Sequence, residues 1–221
     1  MIIHVIDRAK EADIGKVVVA TDSNEILQIV KNYNTECIMT SPDHQSGSDR
    51  IYDALEQIDP NKNLEFVINL QGDMPFINAN SIKVLHNFNQ QSTADINTLV
   101  TPVKETGKKH MKSIVTVAVA FKDQANNYGQ ALYFSRKAIP HNANPYYEHL
   151  GIYAFKRDAL KKFISLPQTP LELQEKLEQL RALENNMTIN VAVVNDSPIS
   201  VDTKEDLDAA ISFFEKNKNN L

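Results

Sequence analysis

Two acidic residues, far apart in the sequence, follow segments that could place them in a phosphate-binding site. Asp73 comes directly after a buried strand expected near residues 66–70, where Gly72 frees the backbone to turn and Pro75 prevents the strand from continuing. Asp202 precedes the last expected helix. Mg²⁺ takes one or two carboxylates and fills its other positions with phosphate oxygens and water. Two such acids are what a Mg²⁺–nucleotide site requires, although each of them taken alone could be a helix cap.

A polar segment at residues 41–50 (SPDHQSGSDR) forms a second candidate site. Its hydroxyl groups, Gly47 and the amino end of the helix that follows could hold a base or a phosphate. An ordinary capped loop explains the same residues equally well. Arg50 lies one turn into the helix, where it could serve an ion pair as well as a ligand.

Several polar residues further along the chain are candidates for binding a substrate. Arg136 follows a short expected strand, and its planar guanidinium suits bidentate binding of a carboxylate, although it could also be surface charge. His149 lies at the mouth of another strand, where a lone histidine is more often structural. Glu178 and Gln179 fall on an amphipathic helix expected over residues 170–184, where charged side chains usually face water.

Strands and helices alternate in the first part of the chain. An amphipathic helix at residues 1–12 precedes strands near 16–20, 36–39 and 66–70, with helices after each of them. Such alternation predicts an α/β fold with a doubly wound, mostly parallel sheet. The middle is richer in strands, at 114–121, 131–135 and 150–155, so we expect one domain over 1–221 with a β-rich subdomain at about 104–156.

Composition excludes several classes of protein. The net charge of −5 argues against a nucleic-acid binder. Cys37 is the only cysteine, so neither an intrachain disulfide nor a thiolate metal cluster can form, which fits a reducing cytoplasm. The sequence has no apolar run near the roughly 20 residues of a membrane helix and no signal peptide, so a soluble cytoplasmic protein without a membrane partner is expected. Glycine-rich nucleotide loops and the motifs of serine hydrolases and zinc proteases do not occur.

Seven motifs in chain order together resemble the 3-deoxy-manno-octulosonate (Kdo) cytidylyltransferase family, also called CMP-Kdo synthetase. They are residues 18–22 (VVATD), 43–50 (DHQSGSDR), 69–75 (NLQGDMP), 131–136 (ALYFSR), 149–153 (HLGIY), 177–181 (LEQLR) and 201–207 (VDTKEDL). Any one of them would be weak evidence, but their common order over most of the chain is specific.

The resemblance implies that CTP and Kdo are joined to give CMP-Kdo and pyrophosphate for lipopolysaccharide synthesis. It implies a nucleotide-diphospho-sugar transferase-like fold whose β-rich insertion forms a dimerisation and sugar-binding lobe, and hence a homodimer. By the same likeness, Asp73 and Asp202 hold the catalytic Mg²⁺, and Arg136 binds the Kdo carboxylate. The residues near the cytosine or ribose would be Gln45, Ser46 and Gly47. The other residues of the Kdo pocket would be Gln71, His149, Tyr153, Glu178 and Gln179.

The sequence departs from the family pattern at its amino end. Family members begin with a central strand and a loop resembling P-x-R-x-x-S-x-R-L-x-x-K-P-L, whose Arg and Lys embrace the triphosphate, and neither is present here. We therefore expect a shortened family member with unpaired sheet edges, whose activity would have to proceed without those cations. There are two alternatives. One is a related synthetase of the sialic-acid type, and the other is a non-catalytic remnant that acts as a dimerising or binding module.

Overall fold

The computed structural model describes residues 1–103, 114–123, 127–196 and 198–217. The helices are α1 (Ile2–Ala12), α2 (Asn24–Asn32), α3 (Gly47–Ile58), α4 (Ala79–Gln91), α5 (Arg157–Ser165), α6 (Pro170–Glu175), α7 (Leu180–Glu184) and α8 (Lys204–Asn217). The strands are β1 (Val18–Thr21), β2 (Glu36–Met39), β3 (Phe66–Asn69), β4 (Ile96–Val103), β5 (Thr116–Asp123), β6 (Tyr128–Ser135), β7 (Tyr146–Lys156) and β8 (Ile189–Val193). Residues 104–113, the start of the expected β-rich subdomain, lie outside the described residues.

The strands form a parallel pair, β1 and β2, and a six-stranded sheet in the order β3-β7-β4-β8-β6-β5. The α/β class with a central sheet is confirmed. The expectation of a mostly parallel sheet is wrong for the six described strands, because β7 runs antiparallel between β3 and β4 and β6 runs antiparallel between β8 and β5. The β4/β8 pair remains parallel. Among the described residues β1 pairs only with β2 and β3 only with β7, so both strands have one unpaired edge, as the sequence predicts.

Helices cover both faces of the six-stranded sheet. On one face, Leu160 and Phe163 of α5 and Leu180 of α7 pack with Ile96 and Ile189 of the sheet. On the other face α4 contributes Ile82 and Leu85 to a second apolar cluster. A third, smaller cluster joins α1, β1 and α2. These helices bury the central strands β7, β4 and β8 on both faces of the sheet.

One helix differs from its sequence-based prediction in a way that matters for the site. The expected helix over residues 170–184 is wrong, because it is interrupted after α6, where Lys176 adopts a left-handed conformation with φ 54°. A short turn of residues 176–179 then leads into α7. The interruption places Glu178 and Gln179 in this turn, where both side chains face the rest of the site.

Candidate active site

The two candidate metal ligands, Asp73 and Asp202, lie close together in the structure. The backbone N–H of Val201 donates to the carbonyl oxygen of Asp73 at 2.9 Å, which brings the segment before α8 against the turn after β3. Ser200 lies beside both acids: its hydroxyl donates to Asp202 Oδ2 at 3.2 Å, and its proximity to the Asp73 carboxylate lowers the pKa of that group. Residues 129 positions apart in sequence thus form one pair of carboxylates.

The electrostatics of this pair suit a divalent cation. Burial raises the pKa of Asp73, the charge of Asp202 raises it further, and the hydrogen bond from Ser200 opposes both effects. In the described part of the chain, Asp73 Oδ1 is buried and has no hydrogen-bond partner. A carboxylate oxygen in this situation is stabilised when a cation binds it. No group of three or more His, Cys, Asp or Glu side chains forms a metal cage within the described residues. Two carboxylates are enough for Mg²⁺ when phosphate and water supply the remaining oxygens.

The amino end of α3 lies beside the loop that follows β3. Ser46 caps α3, because its hydroxyl accepts a hydrogen bond from the backbone N–H of Asp49 at 3.3 Å. A Cβ atom at Gly47 would lie 3.5 Å from Gln71 Nε2, so the backbone at Gly47 approaches the Gln71 amide closely. Two predicted groups of binding residues, one from each loop, therefore meet here.

Other polar residues of the loop before α3 are held by local contacts. Gln45 Nε2 donates to the carbonyl oxygen of Asp43 at 3.0 Å, and the side chain is exposed. Arg50 donates to Thr40 Oγ1 at 2.7 Å and forms an ion pair with Asp22 at 2.9 Å. Arg50 thus fixes the loop between β1, β2 and α3, which is the ion-pair role that its position in the sequence allowed.

Three of the predicted sugar-binding residues line one pocket. Tyr153 of β7, Glu178 and Gln179 surround it together with Ser48 of α3. Hydrogen bonds to the hydroxyls of Ser48 and Ser46 attach the Glu178 carboxylate to the amino end of α3. Its Oε1 atom is buried without a partner among the described residues. Burial raises the pKa of Glu178, while Ser48, Ser46 and the nearby Arg181 charge oppose that rise. Apolar side chains of β4, β7 and α5 complete the lining, so the pocket is small and largely apolar, with one unpartnered acceptor and one phenol group.

Arg136 lies at the end of β6, beside the turn that carries Glu178. Its guanidinium donates through Nε to the carbonyl oxygen of Glu175 at 3.0 Å and through Nη2 to that of Lys176 at 3.3 Å. Its backbone N–H donates to Glu175 Oε2 at 3.0 Å. Two of the five guanidinium N–H groups thus hold the carboxyl end of α6, and the side chain is exposed.

A buried ion pair closes the base of the same turn. Arg181 donates through Nε and Nη2 to the two Glu172 carboxylate oxygens, at 2.9 and 2.5 Å. Glu172 also accepts the backbone N–H of Thr169 at 3.1 Å and so caps α6. The Arg181 guanidinium lies over the Phe163 ring, 4.9 Å from its centroid. The pair fixes the two helices between which Glu178 and Gln179 are presented.

His149 is enclosed by aromatic and apolar groups in β7. Its ring packs edge-on against Phe134, with centroids 5.1 Å apart, and lies 5.2 Å from the Tyr153 ring. Burial lowers the pKa of His149 to about 3, so the imidazole is neutral at neutral pH. This histidine cannot act as a cationic partner for a carboxylate.

The neutral His149 is expected to make the protein less stable at acid pH. Its pKa is about 3 in the native state and about 6.5 in the unfolded chain, so protons bind preferentially to the unfolded state between these values. Stability is retained above pH 6.5 and is lost as the pH falls, by up to about 2 kcal/mol between pH 7 and pH 5. Urea unfolding of wild type and His149→Gln at both pH values measures this contribution. Equal pH dependence of the two proteins would contradict it.

Comparisons with known proteins identify the family of the chain. A family model described as cytidylyltransferase matches residues 1–189. The 3-deoxy-manno-octulosonate cytidylyltransferase of Bartonella henselae is 45% identical over 208 residues, which cover 94% of this chain and 85% of the relative. The enzyme of the same name from Brucella anthropi is 46% identical over 210 residues, covering 95% of this chain and 84% of the relative. The solved structure of CMP:2-keto-3-deoxy-manno-octonic acid synthetase complexed with CTP has a TM-score of 0.82 and 31% identity, covering 98% of this chain and 88% of that chain.

The matched family model and the enzymes of that name show that the chain is a nucleotidyltransferase. The chain belongs to the cytidylyltransferase family. Within the described residues no helix is both long enough and apolar enough to cross a bilayer.

Sequence reasoning assigned no role in the site to several residues that the structure places in or beside it: Ser48, Thr98, Glu172, Arg181 and Ser200. Ser48 and Arg181 lie inside the motifs at 43–50 and 177–181, and Ser200 directly precedes the motif at 201–207, so these motifs were the available signal. Thr98 lies in β4, a strand that sequence reasoning missed. The Glu172–Arg181 contact depends on the interruption between α6 and α7 and had no signal in the expected continuous helix.

Proposed function

We propose that the protein is a 3-deoxy-manno-octulosonate cytidylyltransferase, which joins CTP and Kdo to give CMP-Kdo and pyrophosphate. In this reaction the anomeric hydroxyl of Kdo attacks the α-phosphorus of CTP, and pyrophosphate leaves with the electron pair of the broken P–O bond. The observation that carries the proposal is the Asp73–Asp202 pair, in which the buried Asp73 Oδ1 has no hydrogen-bond partner among the described residues. The identity to enzymes of this name over most of the chain supports the choice of substrates.

We infer that Asp73 and Asp202 would hold Mg²⁺, a proposal supported by the buried, unpartnered Asp73 Oδ1. When bound, the ion would neutralise phosphate charge and lower the pKa of the attacking hydroxyl. Ser200 keeps the two carboxylates in place through its contacts to both. Their positions are set before substrate arrives, which is the preorganisation that phosphoryl-transfer catalysis depends on.

The pocket residues bind and orient the sugar in this proposal. Glu178 Oε1 and the Tyr153 hydroxyl accept and donate hydrogen bonds to a polyhydroxylated ligand. Burial keeps the Tyr153 phenol protonated, because its pKa is raised well above the ordinary value. Gln71, next to Gly47, lies between the nucleotide side and the sugar side of the site. The Arg136 guanidinium keeps unused N–H groups for the Kdo carboxylate after binding the end of α6.

Two further properties belong to this proposal. We propose a homodimer, supported by β5 at the edge of the six-stranded sheet and by Leu132 of β6, which is 57% exposed. Light scattering with and without CTP measures the oligomeric state, and a monomer in both conditions would contradict it. We also propose that the protein acts in the cytoplasm, where CTP is available.

Pyrophosphate release by the purified 221-residue chain with CTP and Mg²⁺ tests the reaction. We expect release that depends on Kdo and that is absent without it. Sialic acid, offered in place of Kdo under the same conditions, is the control for sugar class and should give little or no release. A folded protein that releases no pyrophosphate with Kdo would contradict the proposed activity. Release with sialic acid but not with Kdo would identify a synthetase of the sialic-acid type.

A further inference from the structure

The hydroxyl of Thr98 lies at an irregularity between β4 and β7. Thr98 is fully buried and pairs with Tyr153, whereas the next residue, Leu99, pairs with Leu150, so the register shifts between them. Two carbonyl groups of β7 turn towards Thr98 as a result. Its Oγ1 atom lies 2.6 Å from the carbonyl oxygen of Ile152 and 3.3 Å from that of Leu150.

The position of the Thr98 hydroxyl hydrogen follows from these distances. A hydroxyl has one hydrogen to donate, and the 2.6 Å contact to the Ile152 carbonyl oxygen is the shortest one available to it. If the hydrogen pointed elsewhere, two oxygen atoms with lone pairs would face each other at that distance in a buried place, which is unfavourable. Thr98 Oγ1 therefore donates to the Ile152 carbonyl and keeps its lone pairs for another donor.

His149 supplies that donor. Its Nε2 atom lies 3.0 Å from Thr98 Oγ1. Because the hydroxyl hydrogen is used elsewhere, the contact is a hydrogen bond only if the imidazole carries its proton on Nε2. A neutral imidazole protonated on Nε2 has a lone pair on Nδ1 and accepts a hydrogen bond there.

We propose that Thr98 is a positioning residue that fixes His149 in the tautomer protonated on Nε2, so that Nδ1 accepts a hydrogen bond from a hydroxyl group of the sugar. The statement that Nδ1 binds the sugar rests on the proposed function, whereas the assignment of the tautomer does not. A neutral acceptor at this position favours a polyhydroxylated ligand, which offers many O–H donors. An anion without a donor group forms no hydrogen bond with it. Thr98 thus contributes to specificity without touching the substrate.

The tautomer is measured directly by two-bond ¹H–¹⁵N correlation NMR of the histidine-labelled protein, which distinguishes the two ring nitrogens. In wild type we expect His149 as the Nε2–H form between pH 6 and pH 8. Thr98→Val has nearly the same shape without the hydroxyl and should lose this single form. Thr98→Ser keeps the hydroxyl and should restore it.

Steady-state kinetics with the same variants test the role in binding. For Thr98→Val we expect the KM for Kdo to rise about tenfold, as for the loss of one well-placed hydrogen bond, with the KM for CTP changed less than about twofold. Thr98→Ser should return the Kdo KM towards wild type, which a purely structural role of the methyl group would not produce. Equal rises in both KM values would overturn the positioning role.

The wild-type spectrum decides the tautomer even if Thr98→Val does not fold. A wild-type His149 protonated on Nδ1 overturns the assignment to Thr98, whatever the activity. If wild-type His149 is the Nε2–H form but the protein releases no pyrophosphate with Kdo, the assignment of the tautomer stands. The proposed function and the proposed binding of the sugar by Nδ1 are then overturned. The two failures are therefore distinguishable.

Discussion

Asp73→Asn is expected to lower kcat by at least about a thousandfold, because it removes one of the two carboxylates that would hold the metal against the reacting phosphate. The protein without metal should be at least as stable as wild type. Partial burial raises the pKa of Asp73 and the nearby Asp202 charge raises it further, so the native state gains when the charge of this carboxylate is removed. Rates of pyrophosphate release and the increase of Tm on adding Mg²⁺ are the measurements, and that increase should vanish in the variant.

Asp158→Asn is the matched control for this substitution. Asp158 is exposed in the first turn of α5, away from the carboxylate pair, and the same chemical change there should leave kcat and the Mg²⁺-dependent Tm increase close to wild type. Near-normal turnover by Asp73→Asn would remove Asp73 from the mechanism. A slow variant that still gains stability from Mg²⁺ would show that Asp73 acts without binding the metal.

Arg181→Met is expected to destabilise the native state by about 3–5 kcal/mol, because it leaves the Glu172 carboxylate buried without its cation. Both side chains are buried, at 6% and 5% exposure, and their two hydrogen bonds connect α6 to α7. The Arg181 charge also opposes the rise of the Glu178 pKa, so the variant protein that does fold should bind Kdo more weakly. Urea unfolding gives the free energy of unfolding, and the KM for Kdo is measured at a temperature where the variant is folded.

Two further variants separate the causes of this effect. Lys162→Met removes an exposed charge of α5 and should change stability by less than about 0.5 kcal/mol. The double variant Glu172→Gln/Arg181→Met replaces the stranded carboxylate by a neutral amide, so it should recover part of the lost stability. A loss below about 1 kcal/mol in Arg181→Met, or a double variant less stable than the single one, would be inconsistent with a stranded buried charge.

Local signals in the sequence predict most of the elements. The amphipathic pattern at the amino end predicts α1, and the Thr-Asp-Ser sequence at 21–23 predicts the cap of α2, which Ser23 provides. Strand β4 was missed although it is central in the sheet. Its polar residues Asn97 and Thr98 and its Pro102 interrupt the apolar run that a buried strand normally shows. Here tertiary contacts supply partners for two polar groups: Asn97 Nδ2 donates to Asn89, and the Thr98 hydroxyl donates to β7.

The sequence alone determined the kind of chemistry, because an acid after a buried strand and a polar loop before a helix are local patterns, and seven motifs in order are specific to one family. It singled out Asp73 and Asp202 as a candidate pair from their positions, and it assigned them as metal ligands by family likeness. Only the tertiary structure brought them together, through the backbone hydrogen bond between Val201 and Asp73, which no local pattern encodes. It also broke the helix near Lys176 and so turned Glu178 and Gln179 into the pocket. Helical periodicity favours one continuous helix there. The helix is nevertheless interrupted, and Glu172 pairs with Arg181 across the break. Tertiary packing therefore overrides the local helical preference.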